Sequence, residues 1–176
     1  MILRLFRKAP PSVDVLYQRV VAASRAPGLY AGLGVPDTVE GRFESLALHV
    51  VLVLRRLRAL PPPAPEVAQD LADALFRHLD ASLRELGVGD MKVPKRMKAL
   101  AAGFYGRAAS YDAALDGADS GALADALRRN IGGENAAALA RYVLAAEADL
   151  AGDTLEAMLA RGPAFPPPER FEETAP

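Results

Sequence analysis

The chain has two imidazoles, His49 and His78, and no cysteine. The missing thiol removes disulfides, thiolate zinc sites, iron–sulfur ligation and a thiol nucleophile together, and it fits a reducing compartment. Neither histidine has a second one a helical turn away, and H-E-x-x-H is absent, so zinc-hydrolase spacing is missing. Ser24, Ser45, Ser82, Ser110 and Ser120 sit in no nucleophile motif. No set of carboxylates repeats the Glu plus E-x-x-H ligands of di-iron bundles. The residues therefore point to no catalytic group, no metal and no cofactor.

Charge is where the residues do suggest a chemistry. GVGDMKVPKRMK, residues 87–98, holds Lys92, Lys95, Arg96 and Lys98 against the single acid Asp90. Pro94 suits the first turn of a helix and Gly87 suits the left-handed position after one. The three bases after Pro94 then stand where the helix dipole is positive, which disfavours each exposed cation by roughly 0.3–1 kcal/mol. A sequence that breaks a local rule in this way has another requirement to meet. The candidates are an outside anion (an RNA phosphate, a lipid headgroup or an acidic protein surface), the chain's own acids, or plain solvation. The segment is no nucleotide cradle: it lacks a third glycine and the GK[ST] of a P-loop, and it follows a helical pattern instead of a strand.

The charge is also unevenly spread. Net charge is −1, yet residues 1–111 carry 16 bases and 10 acids while residues 112–176 carry 5 bases and 12 acids. Such a split implies internal pairing of the two parts or a basic face turned to an anionic partner.

Every long segment that must position these residues has a helical period, and none keeps a strand's alternation. The pattern predicts an all-α single domain of about six to seven helices. The expected helices are about 13–25, 38–60, 66–86, 94–115, 119–131 and 134–151, with a short one over about 153–161. The second should be central: Phe43, Leu46, Val50, Val53, Leu54 and Leu57 make one stripe, and Leu48, Val51 and Leu52 fill the other side. Asp37 and Glu40 have capping-box spacing at its start. The third has one face in water, with Asp73–Arg77 and Asp80–Arg84 as i,i+4 pairs.

Between the first two helices, APGLYAGLGVP (26–36) reads as a loop that is unusually apolar. Its Leu29, Tyr30, Leu33 and Val35 either tuck onto the core or form a contact surface. In the fourth helix, Ala99, Gly103, Gly106 and Ser110 share one face, which invites close packing against the second helix or docking of a partner helix. Residues 1–12 form an N-terminal segment that is either mobile or, through its MILRLFRK start, laid on a membrane surface. Residues 13–161 form the helical domain, and residues 162–176 a proline-rich acidic tail expected to be mobile. The longest apolar run, LALHVVLVL, is nine residues, short of the roughly 20 that a span needs. The start also lacks the pattern of a signal peptide.

GVGDMKVPKRMKALAAGFYGRAASY (87–111) resembles the ubiquinol–cytochrome c chaperone family, and so does LYQRVVAASRAPGLYAGLGVPDTVEGRFESLALHVVLVLRRL (16–57). Together with the linking helix these blocks span residues 16–111. The resemblance implies a helical, non-enzymatic assembly factor of the cytochrome bc complex that binds newly made cytochrome b, in a short bacterial version. With no span and no signal peptide a cytoplasmic protein is expected, and the resemblance adds a peripheral place on the inner membrane as an option. Mitochondrial members also contact the ribosome and a small partner protein, which makes both candidate partners here. On this reading Lys92, Lys95, Arg96, Lys98 and Arg107 would meet ribosomal RNA or anionic headgroups, and the apolar loop would hold a nascent apolar segment. Two rivals stand beside it. One is a helical protein holding haem, quinone or lipid, with His49 as the only haem-ligand candidate. The other is an enzyme without a recognisable motif.

Overall fold

The computed structural model describes residues 11–172, and within them every regular element is helical. The N-terminal segment proposed for a membrane surface lies almost wholly outside the described residues. Eight α-helices follow in order: α1 Pro11–Ala23, α2 Pro27–Ala31, α3 Val39–Ala59, α4 Ala64–Glu85, α5 Val93–Asp116, α6 Ser120–Asn130, α7 Ala136–Ala151 and α8 Leu155–Arg161. A 3-10 turn, Pro168–Phe171, closes the described chain.

The expected central helix is α3. Ala47 through Leu54 are all buried, which a helix achieves only when neighbours cover every side. Those neighbours are α1, α4, α5 and α7. Its β-branched run gives up a little helix propensity, and packing outweighs that. Its N-cap is Thr38, whose Oγ1 accepts the Gly41 N–H at 3.0 Å. Asp37, expected to share that role, instead accepts from Arg42 Nε at 2.7 Å.

Three expectations are corrected by packing. First, residues 26–36 are not all loop, and of their two readings the one tucked onto the core holds. They form the short helix α2 and a turn that bury Leu29, Leu33 and Val35 in the core, while Tyr30 is half-buried with its hydroxyl donating to the Ser24 carbonyl. The core takes the apolar side chains because it is the nearest surface that removes them from water. Second, the described residues form eight α-helices where about six to seven were expected, the addition being α2.

Third, the described part of the tail, residues 162–172, is docked. Pro166 and Pro168 are buried, and Phe165 and Phe171 pack against the core. The buried Asp153 carboxylate accepts the Ala164 N–H at 2.7 Å and also holds Arg161. Gly28 and Gly32 of α2 leave the room: a Cβ on Gly28 would lie 2.6 Å from Glu169 Oε1, and one on Gly32 would fall within the Glu172 side chain. Proline-rich chain loses less entropy on docking than ordinary chain, so few anchors hold it.

Candidate functional site

The basic segment lies at the tip of the α4–α5 hairpin. α4 leaves the core before it ends: Ala81, Ser82, Arg84 and Glu85 are exposed. It stops in a Schellman arrangement, with Val88 N–H donating to Leu83 O, Gly87 N–H to Arg84 O, and Gly87 at φ +80°. Pro94 lies in the first turn of α5, as the sequence implied. Val93 is buried there but stands outside the contiguous core, so the tip has a small packing centre of its own.

Lys92, Lys95, Arg96 and Lys98 are all exposed. None makes an ion pair among the described residues, and the first turn of α5 contains no acid and no side-chain cap. Asp90, the one acid of the segment, is occupied elsewhere, accepting from Arg84 Nη1 at 2.5 Å while Asp80 accepts from Arg84 Nε at 2.7 Å. Those bonds raise the Arg84 pKa, the Asp80 hydrogen bond most.

Three acids of the chain's later part are held by a different base. Arg55 on α3 reaches Glu147 on α7 at 2.6 Å, and on α5 it reaches Asp116 at 2.6 Å and Asp112 at 3.3 Å. Arg56 donates twice to the Asp153 carbonyl, at 3.0 and 2.7 Å. These contacts pair the acidic later part with α3 and leave the α4–α5 tip open. Sequence reasoning missed Arg55. The available signal was a run of arginines at the end of an otherwise apolar helix.

Arg107 does not join the tip. Its Nη2 bonds Glu44 Oε1 at 2.5 Å, and its guanidinium lies over Phe43, 5.9 Å from the ring centre. Burial raises the Glu44 pKa, against the lowering effect of Arg107. Arg107 is therefore committed inside the chain, a correction to its expected place among anion-binding groups.

Close packing on the small-residue face of α5 is also absent. Ala99 and Gly106 are exposed, and a Cβ on Gly106 would meet nothing within 4 Å. A Cβ on Gly103 would lie 2.6 Å from Arg107 Nη1, so that glycine makes way for the arginine on its path to Glu44. Ser110 donates to the Arg107 carbonyl at 2.8 Å. The face does not pack against α3 as one of its two readings required.

Both histidines are in structural settings. His78 is exposed and stacks on Tyr17, 4.4 Å between ring centres and 5° between planes. His49 is fully buried, 2.7 Å from the Ser45 carbonyl through Nδ1 and 2.7 Å from the Tyr142 hydroxyl through Nε2. A carbonyl only accepts, so Nδ1 carries the proton and Nε2 accepts from Tyr142. Burial, against the opposing Ser45 bond, lowers the His49 pKa to about 4. The Tyr142 hydroxyl takes the Nε2 lone pair that haem iron would need, and Phe165 from the docked tail covers the ring at 4.8 Å. Among the described residues no cluster of His, Asp and Glu has the arrangement of a metal site, and no helix is long and apolar enough to cross a membrane.

This helical array has a solved counterpart. The crystal structure of the Cbp3 homolog from Brucella abortus superimposes with a TM-score of 0.82 and is 43% identical, over 97% of this chain and 99% of that one. No curated protein sequence matches. The family model for the ubiquinol–cytochrome c chaperone matches residues 31–165, a stretch that holds the central helix, the basic tip and the Arg55 cluster. By that match and by the near-complete likeness to the Brucella protein, the chain belongs to the ubiquinol–cytochrome c chaperone family.

Proposed function

We propose that the protein is a non-enzymatic chaperone that binds newly made cytochrome b and promotes assembly of the ubiquinol–cytochrome c reductase complex. Family membership supports the assembly role. One observation carries the rest: Lys92, Lys95, Arg96 and Lys98 stand exposed on a hairpin tip and without an acidic partner among the described residues, although the chain has 22 acids. Positive charge at a helix start costs stability unless something outside answers it. The tip is the chaperone's outward docking corner, engaged while cytochrome b is being made and inserted. The ribosome and a small partner protein remain further candidate contacts.

A photo-crosslinker in place of Lys95, in cells making cytochrome b, tests this reading. Crosslinks to cytochrome b or its translation machinery, and loss of assembled bc complex on deletion of the gene, are the expected results. A deletion strain with normal complex levels would overturn the assignment. Haem ligation by His49 loses its basis, since the ring is enclosed and both its nitrogens are engaged.

A further inference from the structure

Charge alone does not say which anion the tip meets, but its apolar residues do. The large hydrophobic side chains most exposed among the described residues are Met91, at 96%, and Leu86, at 77%, and both lie beside the four unpaired cations. Leu83 and Val88 stand half-buried behind them, outside the core. We infer that the α4–α5 tip is a docking surface for an anionic lipid bilayer, with Lys92, Lys95, Arg96 and Lys98 at the headgroup phosphates and Leu86 and Met91 set into the headgroup–acyl boundary. The inference rests on the proposal that this tip is the outward docking corner, and adds the partner's chemistry.

Basic residues flanking exposed aliphatic side chains are what an interfacial membrane contact requires. The cations gain from the negative surface potential, and the aliphatic groups leave water. A surface for single-stranded RNA would instead offer planar rings for bases to stack on. The tip has none. The nearest exposed aromatic, Tyr105, lies well along α5 and is packed against Phe104 and Phe76. An acidic protein surface would use the charges but has no need of two aliphatic side chains standing almost free in water.

The chain lacks tryptophan, so Met91→Trp supplies a single fluorophore at the tip. In full-length protein its emission should shift to the blue with vesicles of phosphatidylcholine and phosphatidylglycerol, and stay unchanged with phosphatidylcholine alone. In sedimentation with the mixed vesicles, changing Lys92, Lys95, Arg96 and Lys98 together to Gln should weaken binding more than about tenfold. Leu86→Ser with Met91→Ser should weaken it several-fold at unchanged charge. All these side chains are exposed, so the variants keep the fold, checked by circular dichroism. Residues 1–8 are present in every variant. Binding that survives the Gln substitutions therefore belongs to them and overturns the assignment.

The inference is equally overturned if the Ser variant binds vesicles as well as the parent, or if the parent prefers a structured RNA or an acidic protein to the mixed vesicles. Failure here alongside a Lys95 crosslink to cytochrome b would leave the chaperone reading standing. Vesicle binding with normal bc complex in the deletion strain would do the reverse.

Discussion

His49 is held neutral by its surroundings, and that has a consequence in acid. Its pKa in the folded chain is about 4, below the ordinary 6.5, because burial outweighs the Ser45 bond. Between those values the unfolded chain takes up a proton that the folded chain refuses. The His49 contribution to stability is therefore complete above about pH 6.5 and is lost as pH drops toward about 4, by on the order of 3 kcal/mol. Glu44 works in the opposite sense, since its raised pKa lets the folded chain hold a proton at higher pH than the unfolded chain does. Urea titrations across this range should show the loss, and His49→Asn should flatten it while lowering stability at neutral pH. The Glu44–Arg107 pair makes a second case. Glu44 Oε2 has no hydrogen-bond partner, so the arginine is its main compensation. Arg107→Ala should cost about 3 kcal/mol in chemical denaturation, and Glu44→Gln combined with Arg107→Met should recover most of it. Vesicle binding should not change in either variant, which separates Arg107 from the tip residues.

At the scale of the element, the two glycines of α5 look alike in sequence and differ in structure. Gly106 faces open space in a helix interior, so Gly106→Ala should stabilise the protein by about 0.5–1 kcal/mol. Gly103→Ala gains the same helix propensity but pushes Arg107 from its path to Glu44, so its thermal midpoint should lie below that of Gly106→Ala. If both substitutions stabilise equally, Arg107 has another route. The docked tail is an element of the second kind, held by anchors instead of a backbone ladder. Phe165 lies on His49 at 4.8 Å, and Phe171 meets Tyr142 edge-on at 5.9 Å. Phe165→Ala should lower stability by about 2 kcal/mol. Hydrogen exchange should then speed up at Ala164, whose N–H is bonded to Asp153, more than at Leu123 in α6.

Across the whole molecule, charge is segregated. Arg55 draws α3, α5 and α7 together through three carboxylates, while the cations at the α4–α5 tip go unmatched. A chain of net charge −1 and isoelectric point near 6.1 would pass through a cation-exchange resin if its charges were evenly mixed. The exposed tip predicts retention at pH 7.5 and low salt, lost when its four bases are changed to Gln. Flow-through of the parent protein would show that solvent and counter-ions screen the patch too well for it to steer anything.

The all-α class, the central place of α3, the water-facing side of α4 and the punctuation by Gly87 and Pro94 follow from periodicity and backbone chemistry, which are local and need no partner. The family likeness was also legible, because it is carried by long contiguous blocks. Other features depended on residues far apart in the chain. Leu29, Leu33 and Val35 could have faced a client or the core, and only the assembled helices show that a core surface is near enough to take them. Arg107 reaches Glu44 across 63 positions, Tyr142 reaches His49 across 93, and Phe165 comes back over the same ring. The tail was expected to be free because its composition is that of a linker, and composition does not reveal that Gly28 and Gly32 leave room for it. The same limit applies to the four bases at the tip: sequence shows charges in an unfavourable place, and only the tertiary structure shows that Asp90 goes to Arg84 and that Asp112, Asp116 and Glu147 go to Arg55.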